Sequence, residues 1–206
     1  MAMDKKTLDY YATNALEVAR RYEEVPSALA SKFDVAFTFG GKVLDIGCGS
    51  GRDLAVLARK GFDAYGIDPT SEFVDIAQRI HPELVGRVKV GQLPELGTPF
   101  GGQFDGLLCC AVLMHLDTTL LEESLEAFKL VIKPDGRVLI SVPSARADTD
   151  MFGRDQHGRL FKDFSSNSLK DTFEKHGFQL VGKWENVDTL QRSGVEWITQ
   201  LYQLTI

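Results

Sequence analysis

The sequence predicts a doubly wound α/β fold: a seven-stranded, mostly parallel sheet with an antiparallel hairpin at its C-terminal end. Three observations carry this. Short apolar runs alternate repeatedly with segments of helical periodicity, which calls for parallel strands joined by right-handed crossovers. The run Gly106 to Ala111 is apolar throughout, as a strand becomes when helices cover both of its faces. The last two strand-like runs have no helix between them, so they pair as a hairpin. The 206 residues read as a single domain, with 1–40 as an N-terminal helical cap.

Taken in order, residues 7–23 place Leu8, Tyr11, Ala12, Ala15, Leu16 and Ala19 on one helical face. Lys42 to Ile46 is a short apolar run entering a glycine-rich turn, hence a buried strand. Leu54 to Lys60 is helical and stops at Gly61, a residue suited to the left-handed position that ends helices. Ala64 to Ile67 is the second strand. Thr70 or Ser71 then caps a helix whose inward face is Phe73, Ile76, Ala77 and Ile80. Val88 to Val90 and Gly106 to Ala111 are strands three and four. Asp117 caps a helix bearing Leu121, Leu125, Phe128 and Ile132, which Lys133-Pro134-Asp135-Gly136 terminates by turn chemistry. Arg137 to Val142 is the fifth strand. Residues 144–164 are polar and aperiodic, the pattern of a long loop or lid. Ser166 opens a helix with Leu169 and Phe173 inward, and Phe178 to Glu185 with Val195 to Leu204 form the hairpin.

Composition narrows the function. Twenty-nine acidic against 23 basic residues leave a net charge of −6, whereas proteins that neutralise phosphates usually show a basic surplus. No nucleic-acid partner is expected. The opening MAMDKKTLDYY lacks the apolar stretch of a secretory signal, and Leu107 to Met114 is too short to span a bilayer. The three cysteines, at 48, 109 and 110, make no CxxC spacing, so neither a disulfide framework nor a metal site is expected. The expectation is a cytoplasmic protein without a membrane partner that acts on a small molecule; a module holding a protein partner is the alternative.

Val43-Leu44-Asp45-Ile46-Gly47-Cys48-Gly49-Ser50-Gly51 is the most informative stretch. A buried strand enters a turn with glycine at alternate positions, and a helix follows at once. Glycine accepts positive φ and lets a ligand approach the backbone, and the N–H groups of a helix start favour an anionic group. Asp68 ends the second strand, where a carboxylate can accept from both hydroxyls of a ribose. Strand, loop and acid together describe a nucleoside site. A dinucleotide needs a third glycine at position 52, where this chain has arginine. Asp45 in the site wall would repel a pyrophosphate and suits a cationic amine or sulfonium. The electrostatics favour S-adenosylmethionine over a nicotinamide cofactor; a non-catalytic module that binds S-adenosylmethionine or a protein partner is the alternative, and a nucleotide-dependent oxidoreductase is the lesser reading.

On these residues the chain resembles the class I S-adenosylmethionine-dependent methyltransferases, in their small single-domain form of the methyltransferase-11/25 type. The matching stretches are VLDIGCGSG at 43–51, AYGIDPT at 64–70, VKVGQLPEL at 88–96, FDGLLCCAVLMHL at 104–116 and KPDGRVLISVP at 133–143. The resemblance implies a strand order 3-2-1-4-5-7-6 and S-adenosylmethionine as cofactor. It implies that Asp45, Gly47, Cys48 and Gly49 line the methionyl half, that Asp68 binds the ribose, and that Pro69 packs near the adenine. Leu93 offers its backbone N–H to the ring. Where the family usually has an aspartate for the adenine amino group, this chain has Gln92, whose amide carbonyl can accept the same bond. Cys110, Ala111 and Val112 meet the methionyl chain, and Arg52 reaches its carboxylate.

For chemistry, His115 follows strand four at the mouth of the site and is the candidate general base; helix-end packing is its other reading. Tyr10, Tyr11 and Tyr22 on the leading helix either shape the acceptor pocket or simply pack. Arg154, His157, Arg159 and Lys162 within 144–164 either grip an anionic acceptor or form a solvated lid. The acceptor atom and the oligomeric state stay open. The block 109–112 reads Cys-Cys-Ala-Val rather than the Pro-Pro arrangement of enzymes that methylate exocyclic amines.

Overall fold

Side chains alternate across a strand, and the central strands here are apolar on both sides. In β1 (Lys42–Ile46), Leu44 and Ile46 enter one core and Val43 the other. β4 (Phe104–Cys110) repeats the division, with Leu107 and Cys109 opposite Leu108. The computed structural model, which describes residues 3–205, accordingly carries helices on both faces. α3 (Phe33–Ala36), α4 (Arg52–Arg59) and α5 (Ser71–Ile80) cover one face through Phe33, Leu54, Leu57 and Ala77. α6 (Thr118–Val131) and α7 (Ser166–Lys175) cover the other through Leu121, Leu125, Phe128, Leu169 and Phe173.

β2 (Asp63–Asp68), β3 (Val88–Val90), β5 (Ile132–Arg146), β6 (Phe178–Val187) and β7 (Val195–Leu204) complete a seven-stranded sheet of order β3-β2-β1-β4-β5-β7-β6. β1 to β5 pair in parallel, and β7 runs antiparallel to both β5 and β6. The fold class and the strand order are those the sequence predicts. Chain order reverses between β1 and β4, and such a reversal opens a crevice at the carboxyl ends of the strands.

Ile80, expected on the inward face of α5, is exposed, and three further local readings need correction. The leading helix is two, α1 (Lys5–Thr13) and α2 (Ala15–Glu23), broken at Asn14, which leaves helical geometry at φ −111° and ψ 15° while its amide and its side chain both donate to Tyr10 O, at 3.0 and 2.8 Å. The apolar phase resets there: Leu16 is 67% exposed, while Ala15, Val18 and Ala19 pack on Phe73 and Ile76 of α5. Lys133 to Gly136 do not separate α6 from the next strand. They bulge within β5, since Phe104 pairs with Ile132 and Gly106 with Arg137, and Asp135 sits at φ 60°. Finally, β5 continues beyond Val142 to Arg146, which pairs with Val195 of the long hairpin. Only the part of 144–164 after Arg146 leaves the sheet, and it folds back through the bridges Thr149 to Asp155 and Arg154 to Leu160.

That returning segment is fastened to α1. Arg154 donates to both oxygens of Asp4, at 3.1 and 2.8 Å, and the Leu160 amide donates to Thr7 Oγ1 at 2.9 Å. Asp4 also caps α1 by accepting from the Thr7 amide. The Arg154 guanidinium holds the Asp4 carboxyl well below the usual carboxylate range.

Candidate active site

The crevice is a cleft of about 1520 Å³ counting its open mouth. Its wall contains Asp45, Gly47, Cys48, Gly49, Arg52, Asp68, Pro69, Gln92, Leu93, Cys110, Ala111 and His115, together with Tyr11, Tyr22 and Arg159, whereas Tyr10, Arg154, His157 and Lys162 do not line it.

The glycine loop is built by its neighbours. Gly47, Gly49 and Gly51 sit at φ 71°, 53° and 84°, where a side chain is strained. A Cβ on Gly47 would lie 2.3 Å from Val112 Cγ2, and one on Gly51 would lie 2.8 Å from Leu84 Cδ1. These two glycines serve packing. At Gly49 a Cβ would meet nothing within 4 Å, so here alone of the three the backbone faces open space. The loop amides differ from a free anion cradle. Those of Gly47 and Cys48 donate to Ile67 O at 2.8 and 3.0 Å, and that of Gly51 to Cys48 O at 2.9 Å.

The Gly49 amide donates to Asp68 Oδ2 and the Thr70 amide to Asp68 Oδ1, both at 2.9 Å. Each carboxylate oxygen thus has one protein donor and keeps a lone pair. Burial raises the Asp68 carboxyl to about 6 despite these bonds. Asp45 is pushed well above its ordinary value, first by burial and then by Asp53 and Asp68 nearby; no hydrogen bond among the described residues ends on its carboxylate. Three acids facing one space make this end of the cleft suited to a cation. Arg52 donates to Asp53 at 3.2 Å and to Tyr22 O at 3.1 Å, which ties α4 to α2.

Gln92 and Leu93 follow β3, held there by the Gly91 amide donating to Asp68 O at 3.1 Å. Ala111, at φ 59°, turns the chain out of β4 into the short helix holding His115. Cys48 and Cys109 are buried, Cys110 partly so, and burial raises all three thiols, so they are neutral packing groups.

His115 is 4% exposed, and both ring nitrogens are engaged. Nδ1 lies 2.6 Å from Leu160 O, a pure acceptor, so Nδ1 carries the proton. Nε2 then accepts from the Tyr11 hydroxyl at 3.2 Å, and that oxygen accepts from Arg159 Nη1 at 3.2 Å. Burial lowers the imidazole to about 4, so it is neutral at pH 7. A base is most effective with a pKa near the working pH, which makes this ring a better anchor than proton acceptor.

Several lining residues carry no signal in the sequence. Arg146, Asn186 and Trp197 reach the cleft because β5 and the hairpin are longer than their apolar cores, Asp188 reaches it from the turn after β6, and Phe161 from the segment that returns after Arg146. Arg146 alone was findable, as a charged residue just beyond a strand whose carboxyl end faces the crevice. The expected basic grip is largely consumed internally: Arg154 by Asp4, and Arg159 by Asp155 at 2.9 and 2.6 Å. Among the described residues no cluster of three or more His, Cys, Asp or Glu is placed to hold a metal, and no helix is long and apolar enough to cross a membrane.

Comparison with known proteins agrees with this geometry. The chain is 32% identical over 117 residues to a ubiquinone biosynthesis O-methyltransferase of Acinetobacter baylyi, an overlap of 55% of this chain and 48% of that protein. It spans about half the length of the curated relatives it matches. In structure it resembles a TehB-like SAM-dependent methyltransferase of Corynebacterium glutamicum, with TM-score 0.70, 20% identity and coverage of 94% and 99% of the two chains. It also resembles 1,6-didemethyltoxoflavin-N1-methyltransferase of Burkholderia thailandensis, solved with 1,6-didemethyltoxoflavin and S-adenosylhomocysteine. There the TM-score is 0.69, the identity 22%, and the coverage 100% and 93%. A family model described as a methyltransferase domain matches residues 17–183, and the chain belongs to that family, the class I S-adenosylmethionine-dependent methyltransferases.

Proposed function

We propose that the protein transfers a methyl group from S-adenosylmethionine to a small-molecule acceptor. One observation carries the reading furthest: Asp68, with a free lone pair on each oxygen, stands beside Gly49, the glycine whose missing side chain leaves open space. That combination suits a ribose laid across the ends of β1 and β2. Asp45 and Asp53 suit the cationic end of the cofactor, and Pro69, Gln92 and Leu93 suit its adenine. Bound there, S-adenosylmethionine supplies an electrophilic methyl group; the chain supplies alignment, worth up to roughly 7–11 kcal/mol when reacting atoms are held at attack distance.

His115 orients the Tyr11 hydroxyl in the cleft wall, and α1 is fastened there to the segment after Arg146. A pyrophosphate fits poorly beside Asp45, Asp53 and Asp68, which argues against the oxidoreductase reading. Small-molecule acceptors are named for the Acinetobacter and Burkholderia relatives, which supports the same class here. Isothermal titration with S-adenosylhomocysteine tests the reading. Saturable binding that Asp68→Ala weakens at least tenfold is expected, and equal affinity in the variant would overturn the ribose assignment.

A further inference from the structure

We infer that the acceptor is a small apolar carboxylic acid whose carboxylate docks on Arg146 at the β5 end of the cleft. The inference rests on the methyl-transfer reading above and deepens it by naming the acceptor class.

Arg146 is the last residue of β5, and its side chain is 1% exposed. Nε and Nη2 donate to Asp148 at 2.8 and 2.5 Å, which fills one edge of the guanidinium. Among the described residues Nη1 has no hydrogen-bond partner. Arg146 lines the cleft, which leaves Nη1 open to it, and a carboxylate matches a guanidinium edge in shape and charge. The guanidinium carbon lies 3.7 Å from the centre of the Phe161 ring, so the group is held flat and in place. Arg159 stands 5.2 Å from the same ring with its Nη1 on Tyr11.

The cleft therefore has two poles. Asp45, Asp53 and Asp68 line the β1–β2 end, with Arg52 on Asp53, while Arg146, Arg159 and the Arg192–Asp188 pair line the other, beside Met114, Phe161 and Trp197. A cationic cofactor suits the first pole. An anion with an apolar body suits the second. Because Asp148 and Asp155 already offset the two arginines, the open edge calls for a monoanion rather than a dianionic phosphate. His115, neutral and engaged at both nitrogens, is poorly placed as a base, and a carboxylate needs none: with one oxygen on Arg146 the other would take the methyl group, an O–CH3 bond forming as the S–CH3 bond breaks, to leave a methyl ester and S-adenosylhomocysteine.

The test is calorimetric titration of the S-adenosylhomocysteine-loaded protein with benzoate, phenylacetate and 4-hydroxybenzoate, each against its amide and against phenyl phosphate. At least one carboxylate should bind tenfold or more tightly than its amide and than phenyl phosphate. Arg146→Gln should abolish that preference while S-adenosylhomocysteine affinity stays within twofold. Amides or phenyl phosphate binding as well as the carboxylates, no binding by any of the carboxylates, or an unchanged preference in Arg146→Gln would overturn the inference. Should that variant fail to fold, the carboxylate–amide comparison in the wild-type protein decides alone. Failure of S-adenosylhomocysteine to bind would instead strike the cofactor reading, and the carboxylate titration can then be run on the free protein.

Discussion

Alanine at Gly47 and at Gly49 should do opposite damage, although only Cys48 separates the two glycines. Both have positive φ, so either substitution costs about 1–2 kcal/mol in backbone strain. At Gly49 the new methyl meets nothing within 4 Å, so strain is the whole cost to the fold. At Gly47 it would lie 2.3 Å from Val112 Cγ2, and overpacking of this kind adds about 1–3 kcal/mol. Gly47→Ala should therefore lose about 2–5 kcal/mol and Gly49→Ala only about 1–2 kcal/mol. At about 2–4 °C of melting temperature per kcal/mol for a chain this size, thermal unfolding resolves the two. Binding should invert the order of interest. The Gly49 methyl enters the space assigned to the cofactor, so Gly49→Ala should lose S-adenosylhomocysteine affinity by about tenfold or more, near 1.4 kcal/mol, while melting close to wild type. A Gly49→Ala protein that binds as wild type would refute the ligand-facing role, and equal melting losses in the two variants would refute the packing assignment.

Other outcomes follow from the same geometry. Asp68 titrates near 6, above the ordinary carboxylate value, and ribose hydroxyls donate best to its ionised form, so S-adenosylhomocysteine affinity should fall as pH drops from 7.5 to 5. The same raised pKa means that this group's contribution to stability is lost as pH rises through about 6. A flat wild-type affinity profile would contradict the assignment, and Asp68→Asn should flatten it. In Tyr11→Phe, His115 should stay neutral down to about pH 5, because burial is the main cause of its low pKa; an imidazole NMR titration with a midpoint near 6.5 would count against that. Asp4→Ala removes the acceptor for Arg154 and the cap of α1, so limited proteolysis should cut 147–160 faster, and an unchanged cleavage rate would show that the pair does not hold the segment down.

The centre of the fold was legible because its signals are local. Val43 to Ile46 is a buried run, Gly47 to Gly51 a turn whose backbone requires glycine, and Asp68 an acid at a strand end. The doubly wound topology then needs little more than the alternation of strand and helix. The β5–hairpin side of the cleft was not legible in the same way. Arg146, Asn186 and Trp197 owe their positions to pairing across the sheet, such as Arg146 with Val195 and Asn186 with Trp197, and strand length set by distant partners leaves no local pattern. The break at Asn14 goes with a side-chain bond to Tyr10 O, which helical periodicity does not register. His115 was found by position, but its role turns on Leu160 and Tyr11, residues 45 and 104 positions away.

The most direct measurement is diffraction from crystals grown with S-adenosylhomocysteine. Ribose hydroxyl oxygens within hydrogen-bond distance of Asp68, with the adenine against Pro69 and Leu93, are the expected result. Density for the nucleoside elsewhere, leaving Asp68 with no contact beyond the Gly49 and Thr70 amides, would contradict it.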